Sequence, residues 1–202
     1  MIEAINMGAL YMSWVDLECA QIPVWENTIP WLYLDNAADP NATTAQGYLV
    51  PNLQASLALP WKNQDSTAAS VEAITSDWNR VKAMSGGYTA EHYKAPTSLL
   101  LEEAEIESIT RNFVEALYKP ILSLFPAFDS FPESAQVRVS DMFYNPGIGK
   151  LKSGYPKFCK AVLAQDWNTA AEQSARNSWM LAFKLRNEWT AAGFVQAAQE
   201  TA

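Results

Sequence analysis

The strongest helical pattern in the chain runs from Leu100 to Phe125. Ile106, Ile109, Phe113, Leu117 and Ile121 recur at three- and four-residue steps and fall on one helix face. Glu102, Glu103 and Glu105 occupy the first turns, where the positive end of the helix dipole favours acids. The sequence on the two sides of this helix differs, with short extended runs and turns before it and further helical periods after it. The pattern predicts a predominantly helical α+β chain of two lobes joined by the long helix, with a cleft between them where substrates bind. Ile109, Phe113 and Leu117 are then expected to be buried against the C-terminal helices.

Ala4 to Cys19 is almost continuously apolar, with Ile5, Leu10, Trp14 and Leu17 at helical spacing, which predicts a helix buried on most sides. Pro23 ends or kinks it and leaves Trp25 and Glu26 at its edge or just past it. Two extended runs follow, Pro30 to Asp35 and Thr43 to Val50, around the turn chemistry of Asn36, Asp39, Pro40 and Asn41, and together they read as a small β-hairpin. Val71, Ile74, Trp78 and Val81 predict an amphipathic helix over Ser66 to Ala83, stopped by Ser85-Gly86-Gly87. The loop to Pro96 holds His92. Shorter helices are expected over 133–144, 154–165, 169–176 and 178–191. The chain 1–202 thus reads as one domain. Residues 24–99 form a lobe with the hairpin and an inserted helix, 100–125 the connecting helix, and 126–202 a helical lobe with helix 4–20 packed on it.

A composition 49% hydrophobic and 18% charged supports one substantial core, or two lobes sharing a helix, rather than two independent domains. For any one of the eight tryptophans, core packing is the first reading. The net charge is -8 and no run of Lys or Arg occurs, which argues against nucleic-acid binding and against anionic membranes. No stretch is long and apolar enough to insert in a membrane. Met1 to Asn6 has no basic start, so no signal peptide is expected and synthesis in the cytoplasm follows. Cys19 and Cys159 sit in helical, apolar contexts and read as buried thiols.

One histidine and two distant cysteines do not make a zinc site, and no metal or cofactor is expected. The loop around His92 shows no nucleophile motif, and Gly147-Ile148-Gly149-Lys150 lacks the full spacing of a phosphate loop. Acids remain. Glu26 lies among Trp25, Pro30 and Trp31, an apolar setting that suits a proton donor, while Asp35 opens a polar turn that suits an ionised carboxylate. Two carboxyls in contrasting surroundings are what glycoside hydrolysis uses. The plainer alternative is a solvated acid at a helix end and a turn-capping Asp.

The ordered set of motifs resembles the phage-type lysozymes, whose domain also occurs in bacterial toxins. Trp25-Glu26 is similar to the acid at the end of that family's first helix. Tyr33-Leu34-Asp35 is similar to its Tyr-x-Asp, and Thr43 to Tyr48 to its Thr-x-Gly-x-Gly-His strand. Glu26 to Asp35 keeps the family's spacing without a gap. Further on, Glu102 to Glu105 looks like the start of its interlobe helix, Phe143 to Gly147 like its Phe-Asn-x-Gly, and Asp166 to Ala171 with Arg176-Asn177 like its Trp-x-x-Ala-Ala and Arg-Asn. Ala45 departs from the first strand Gly and Tyr48 from the His; the turn before Thr43 carries a small insertion, and Leu53 to Ser98 is longer than usual. The resemblance implies a lysozyme-like fold and a muramidase. Such an enzyme hydrolyses the β-1,4 bond between N-acetylmuramic acid and N-acetylglucosamine with inversion. Glu26 is then general acid, Asp35 activates water and Thr43 holds that water. Trp31 and Tyr48 line the sugar cleft, with core packing as the alternative for each. The implied partners are peptidoglycan strands, met in the periplasm or on the cell wall after export or lysis, together with an immunity or delivery protein. Two other readings stand beside it: a non-catalytic glycan- or partner-binding module, favoured by Ala45 and Tyr48, and an acidic inhibitor or immunity protein, favoured by the net charge.

Overall fold

Proline chemistry interrupts the long helix. In the structure, a computed structural model that describes residues 13–35, 39–177 and 181–202, the expected helix over 100–125 is two helices, α4 (Glu103–Ala116) and α5 (Tyr118–Leu124). Pro120 has no N–H to offer the Ala116 carbonyl and its ring crowds that oxygen, so the α4 ladder stops there. Leu117 turns the corner with a tight bond from its N–H to Val114 O (3.1 Å), and Ile121 N–H resumes the ladder on Leu117 O (2.9 Å).

The chain divides into two compact units, Gln21–Phe113 and a second built from Met1–Ala20 with Val114–Ala202. The divisions fall inside α1 (Trp14–Trp25) and inside α4. α1 carries Pro23 in its last turn and ends two residues later, so the proline does not terminate it. The part of the expected helix before residue 13 lies outside the described residues.

The Gln21–Phe113 unit contains a three-stranded antiparallel sheet of β1 (Ile29–Leu34), β2 (Ala42–Ala45) and β3 (Tyr48–Leu49), in that order. The expected second hairpin run is cut into β2 and β3 because Ala45 (φ 53°) and Gly47 (φ 84°) both take left-handed backbone. Tyr33 pairs with Thr43 and Leu34 with Ala42, and an irregularity follows Ile29. Two further helices belong to this unit. α2 (Leu53–Leu57) is capped by Asn52, and α3 (Val71–Lys82) by Ser70, whose hydroxyl accepts from Ala73 N. That cap starts α3 five residues later than the periodicity predicts; Asn63, Asp65 and Thr67 form a hydrogen-bonded turn instead. Leu32, Leu34, Val50, Trp61, Ile74, Val81 and Tyr93 form the core, with Ile109 packed on it.

The second unit is helical: α5, α6 (Glu133–Tyr144), α7 (Ile148–Gly154), α8 (Pro156–Leu163), α9 (Trp167–Gln173) and α10 (Leu181–Glu200). α6 spans the expected residues. The helix expected over 154–165 is instead α7 and α8, divided at Tyr155 because Pro156 opens α8. α9 begins and ends earlier than expected, after Asp166 caps it through Thr169 N, and α10 runs on to Glu200. Trp167 lies at the centre, stacked on Phe194 and edge-on to Phe131, and Phe158 meets Phe194. Trp14 of α1 packs against Phe128 and Tyr118.

Candidate active site

β1 and the end of α1 set out the acids. Glu26 follows the last residue of α1, its N–H bonded to Ile22 O (2.9 Å), and is half-buried. Gly47, in the turn between β2 and β3, faces it; a methyl group in place of its hydrogen would lie 3.7 Å from Glu26 Oε2. That turn is anchored by Gln46, a buried side chain whose amide donates to Thr28 Oγ1 (3.1 Å) and accepts from Thr110 of α4 (2.9 Å). Glu26 is therefore bordered by backbone held in place from two directions.

Asp35 follows β1. Asn41 grips its carboxylate twice, N–H to Oδ1 at 2.9 Å and Nδ2 to Oδ2 at 3.2 Å, and the Asp35 N–H returns to Asn41 O (2.9 Å). These bonds fix the plane of the carboxylate. Thr43 is buried on β2, directly across from Tyr33, and donates its hydroxyl to Asn41 O (3.3 Å). Paired residues of an antiparallel ladder share a face, so Tyr33 and Thr43 stand side by side. The Tyr33 phenol is pushed up to about 12, first by burial and then by the charges of Glu26 and Asp35. It stays protonated across the physiological range, a neutral hydroxyl within the field of both acids. Glu26, Asp35 and Thr43 thus belong to one unit, and Tyr33, paired with Thr43, lies in the field of both acids.

The two aromatic candidates part company. Trp31 takes the packing role: it is buried, its indole N–H donates to Ala90 O (2.9 Å), and the Lys94 ammonium sits 4.3 Å above its ring. It pins the short 3-10 turn Ala90–Tyr93. In that turn His92 stacks on Tyr88, with ring centres 4.0 Å apart. Tyr48 is half-buried at the start of β3 and meets Phe113 edge-on at 6.2 Å. This corrects the expectation for Phe113: its half-buried ring lies beside a candidate binding residue of the sheet unit.

Gln46 and Thr110 hold positions that the sequence did not mark, while Tyr33 and Asn41 stood in it only as part of the Tyr-x-Asp motif and as turn chemistry. Asn41 had a signal, an amide six residues past an acid across a turn. Gln46 and Thr110 had none, because they meet only through the fold. Among the described residues no three His, Cys, Asp or Glu side chains converge as a metal site, and no helix is long and apolar enough to cross a membrane. No protein-family model matches the chain, and no curated protein matches it.

Proposed function

We propose that the chain is a peptidoglycan hydrolase of the phage-lysozyme kind, with a lysozyme-like fold, acting on the β-1,4 bond between N-acetylmuramic acid and N-acetylglucosamine. The observation that carries this reading is the Glu26–Tyr33–Asp35 constellation, with Thr43 paired across from Tyr33. Glu26 passes a proton to the glycosidic oxygen as the bond to the anomeric carbon breaks. Asp35, its plane fixed by Asn41, takes a proton from the water that attacks that carbon from the opposite face, and Thr43 helps hold the water. The configuration inverts and the two carboxyls exchange protons with solvent to reset. Left-handed backbone at both 45 and 47 also supports the reading, since the family's strand motif has glycine at both positions. Peptidoglycan strands are then the partner, with delivery or immunity proteins beside them, and the enzyme works in the periplasm or on the wall.

The departures at Ala45 and Tyr48 favour a second reading, a module that binds glycan without cutting it. Loss of turbidity of purified peptidoglycan decides between them. The parent protein should clear the suspension, while Glu26→Gln and Asp35→Asn should each lose at least about 100-fold, the scale of general acid–base catalysis. Pelleting with the glycan without clearing it selects the module. A Glu26→Gln protein that clears as fast as its parent removes Glu26 from the mechanism.

A further inference from the structure

A cavity of about 770 Å³ opens in the helical unit, and none of the proposed catalytic residues lines it. Its wall is made by the end of α6, α7 and α8, and by the end of α9 with the residues after it. The volume is that of a small-molecule site. Its charge runs against that of the chain: Lys150, Lys157 and Arg176 line it, opposed by Glu172, in a protein of net charge -8. Screening over about 8 Å at physiological ionic strength makes these near charges, rather than the net charge of the chain, what a ligand meets.

Arg176 gives the cavity a permanent cationic wall. It is buried; Nη1 donates to Thr190 Oγ1 (3.1 Å) and Nη2 to Asp141 Oδ2, while the Nε–H has no partner. Asp141 does not neutralise it alone, because the same carboxylate also takes Arg186 through Nε (2.9 Å) and Nη2 (2.6 Å). Two guanidiniums share one carboxylate, and a third, Arg138, lies close enough to feel it. Burial lowers the pKa of Arg176, so its surroundings leave the positive charge under-solvated. Phe158 and Phe183 add apolar wall, and Tyr155 and Gln173 add uncharged hydrogen-bonding groups. A bare anion would leave that apolar surface unused.

We propose that this cavity binds a small organic carboxylate, its charge turned toward Lys150, Lys157 and Arg176 and its apolar body against Phe158 and Phe183. The proposal does not depend on glycan cleavage. Phenylbutyrate is the probe, titrated calorimetrically into the full chain with amide chemical-shift mapping. Saturable binding is expected, with shifts at Tyr155, Lys157 and Ala175. Phenylbutyramide, which keeps the body and loses the charge, should bind at least about tenfold more weakly, as should inorganic phosphate, which keeps charge and loses the body. The exposed double variant Lys150→Gln/Lys157→Gln should fold as the parent and lose roughly five- to tenfold in affinity. Glu26→Gln should bind as the parent, which keeps this result separate from the hydrolase reading. Equal binding of the amide or of phosphate, an unaffected lysine variant, shifts confined elsewhere, or no saturation would each overturn it.

Discussion

Glu18 is buried on α1 with neither carboxyl oxygen hydrogen-bonded. Burial, and then Asp141, hold its pKa well above the usual carboxyl range, against the pull of Arg186, Arg138 and Arg176. An unfolded glutamate releases its proton near pH 4.5, whereas the folded one keeps it. The folded state therefore binds more protons above that pH, and stability falls as pH rises toward the folded pKa. Glu18→Gln should remove this loss, so its melting temperature should exceed the parent's near pH 7 and approach it near pH 4; thermal melts across pH check this. A second residue-scale expectation concerns Ala45, left-handed at φ 53° and fully buried. Ala45→Gly relieves about 1 kcal/mol of backbone strain and forfeits about 0.8 kcal/mol of methyl burial, so it should melt within a few degrees of the parent. Ala45→Val adds a β-branched side chain where neither backbone nor space accepts it, and should melt far lower.

At the scale of elements, helix periodicity was legible and helix breaks were less so. The apolar face of α3 follows from spacing alone, because Ile74, Trp78 and Val81 bury one stripe, whereas α6 is buried at five consecutive residues, Val139 to Phe143. The break between α4 and α5 was written in the sequence as Pro120, but a strong apolar stripe on both sides of a proline conceals it. Gly193 is the reverse case, a glycine beyond the helix expected over 178–191 that sits inside α10. A methyl group there would come within 2.1 Å of Arg138 Nε, and Arg138 is clamped, its guanidinium 3.5 Å over the Trp189 ring and its Nε bonded to Trp189 O. Gly193→Ala gains about 1 kcal/mol in helix propensity, yet should be destabilised by about 1–3 kcal/mol net because Arg138 must move. Chemical denaturation gives the sign directly. At the candidate site, the spacing of Glu26 and Asp35 and the turn residue Asn41 stood in the sequence, whereas the Gln46–Thr110 anchor needed the fold.

For the whole molecule, charge sets conditions on the proposed activity. Bacterial wall is anionic and the chain carries -8, so encounter is opposed by long-range repulsion that salt screens. Wall clearing should therefore rise as ionic strength is raised from about 10 mM to about 150 mM. Clearing that falls steadily over that range would mean a cationic face drives binding. The two-unit division also orders folding in time. Gln21–Phe113 is one uninterrupted stretch, whereas the other unit needs Trp14 against Phe128, Glu18 near Asp141 and Trp167 on Phe194. A ribosome delivers residues at roughly 5–20 per second, N-terminus first. The sheet unit is therefore complete as a sequence while the first helix still waits, for seconds, for the residues it will pack against. Stalled nascent chains ending near residue 150 should show a protease-resistant fragment covering 21–113 before Trp14 is protected. The segment holding the proposed acids is then the earliest part of the protein to take its final shape during synthesis.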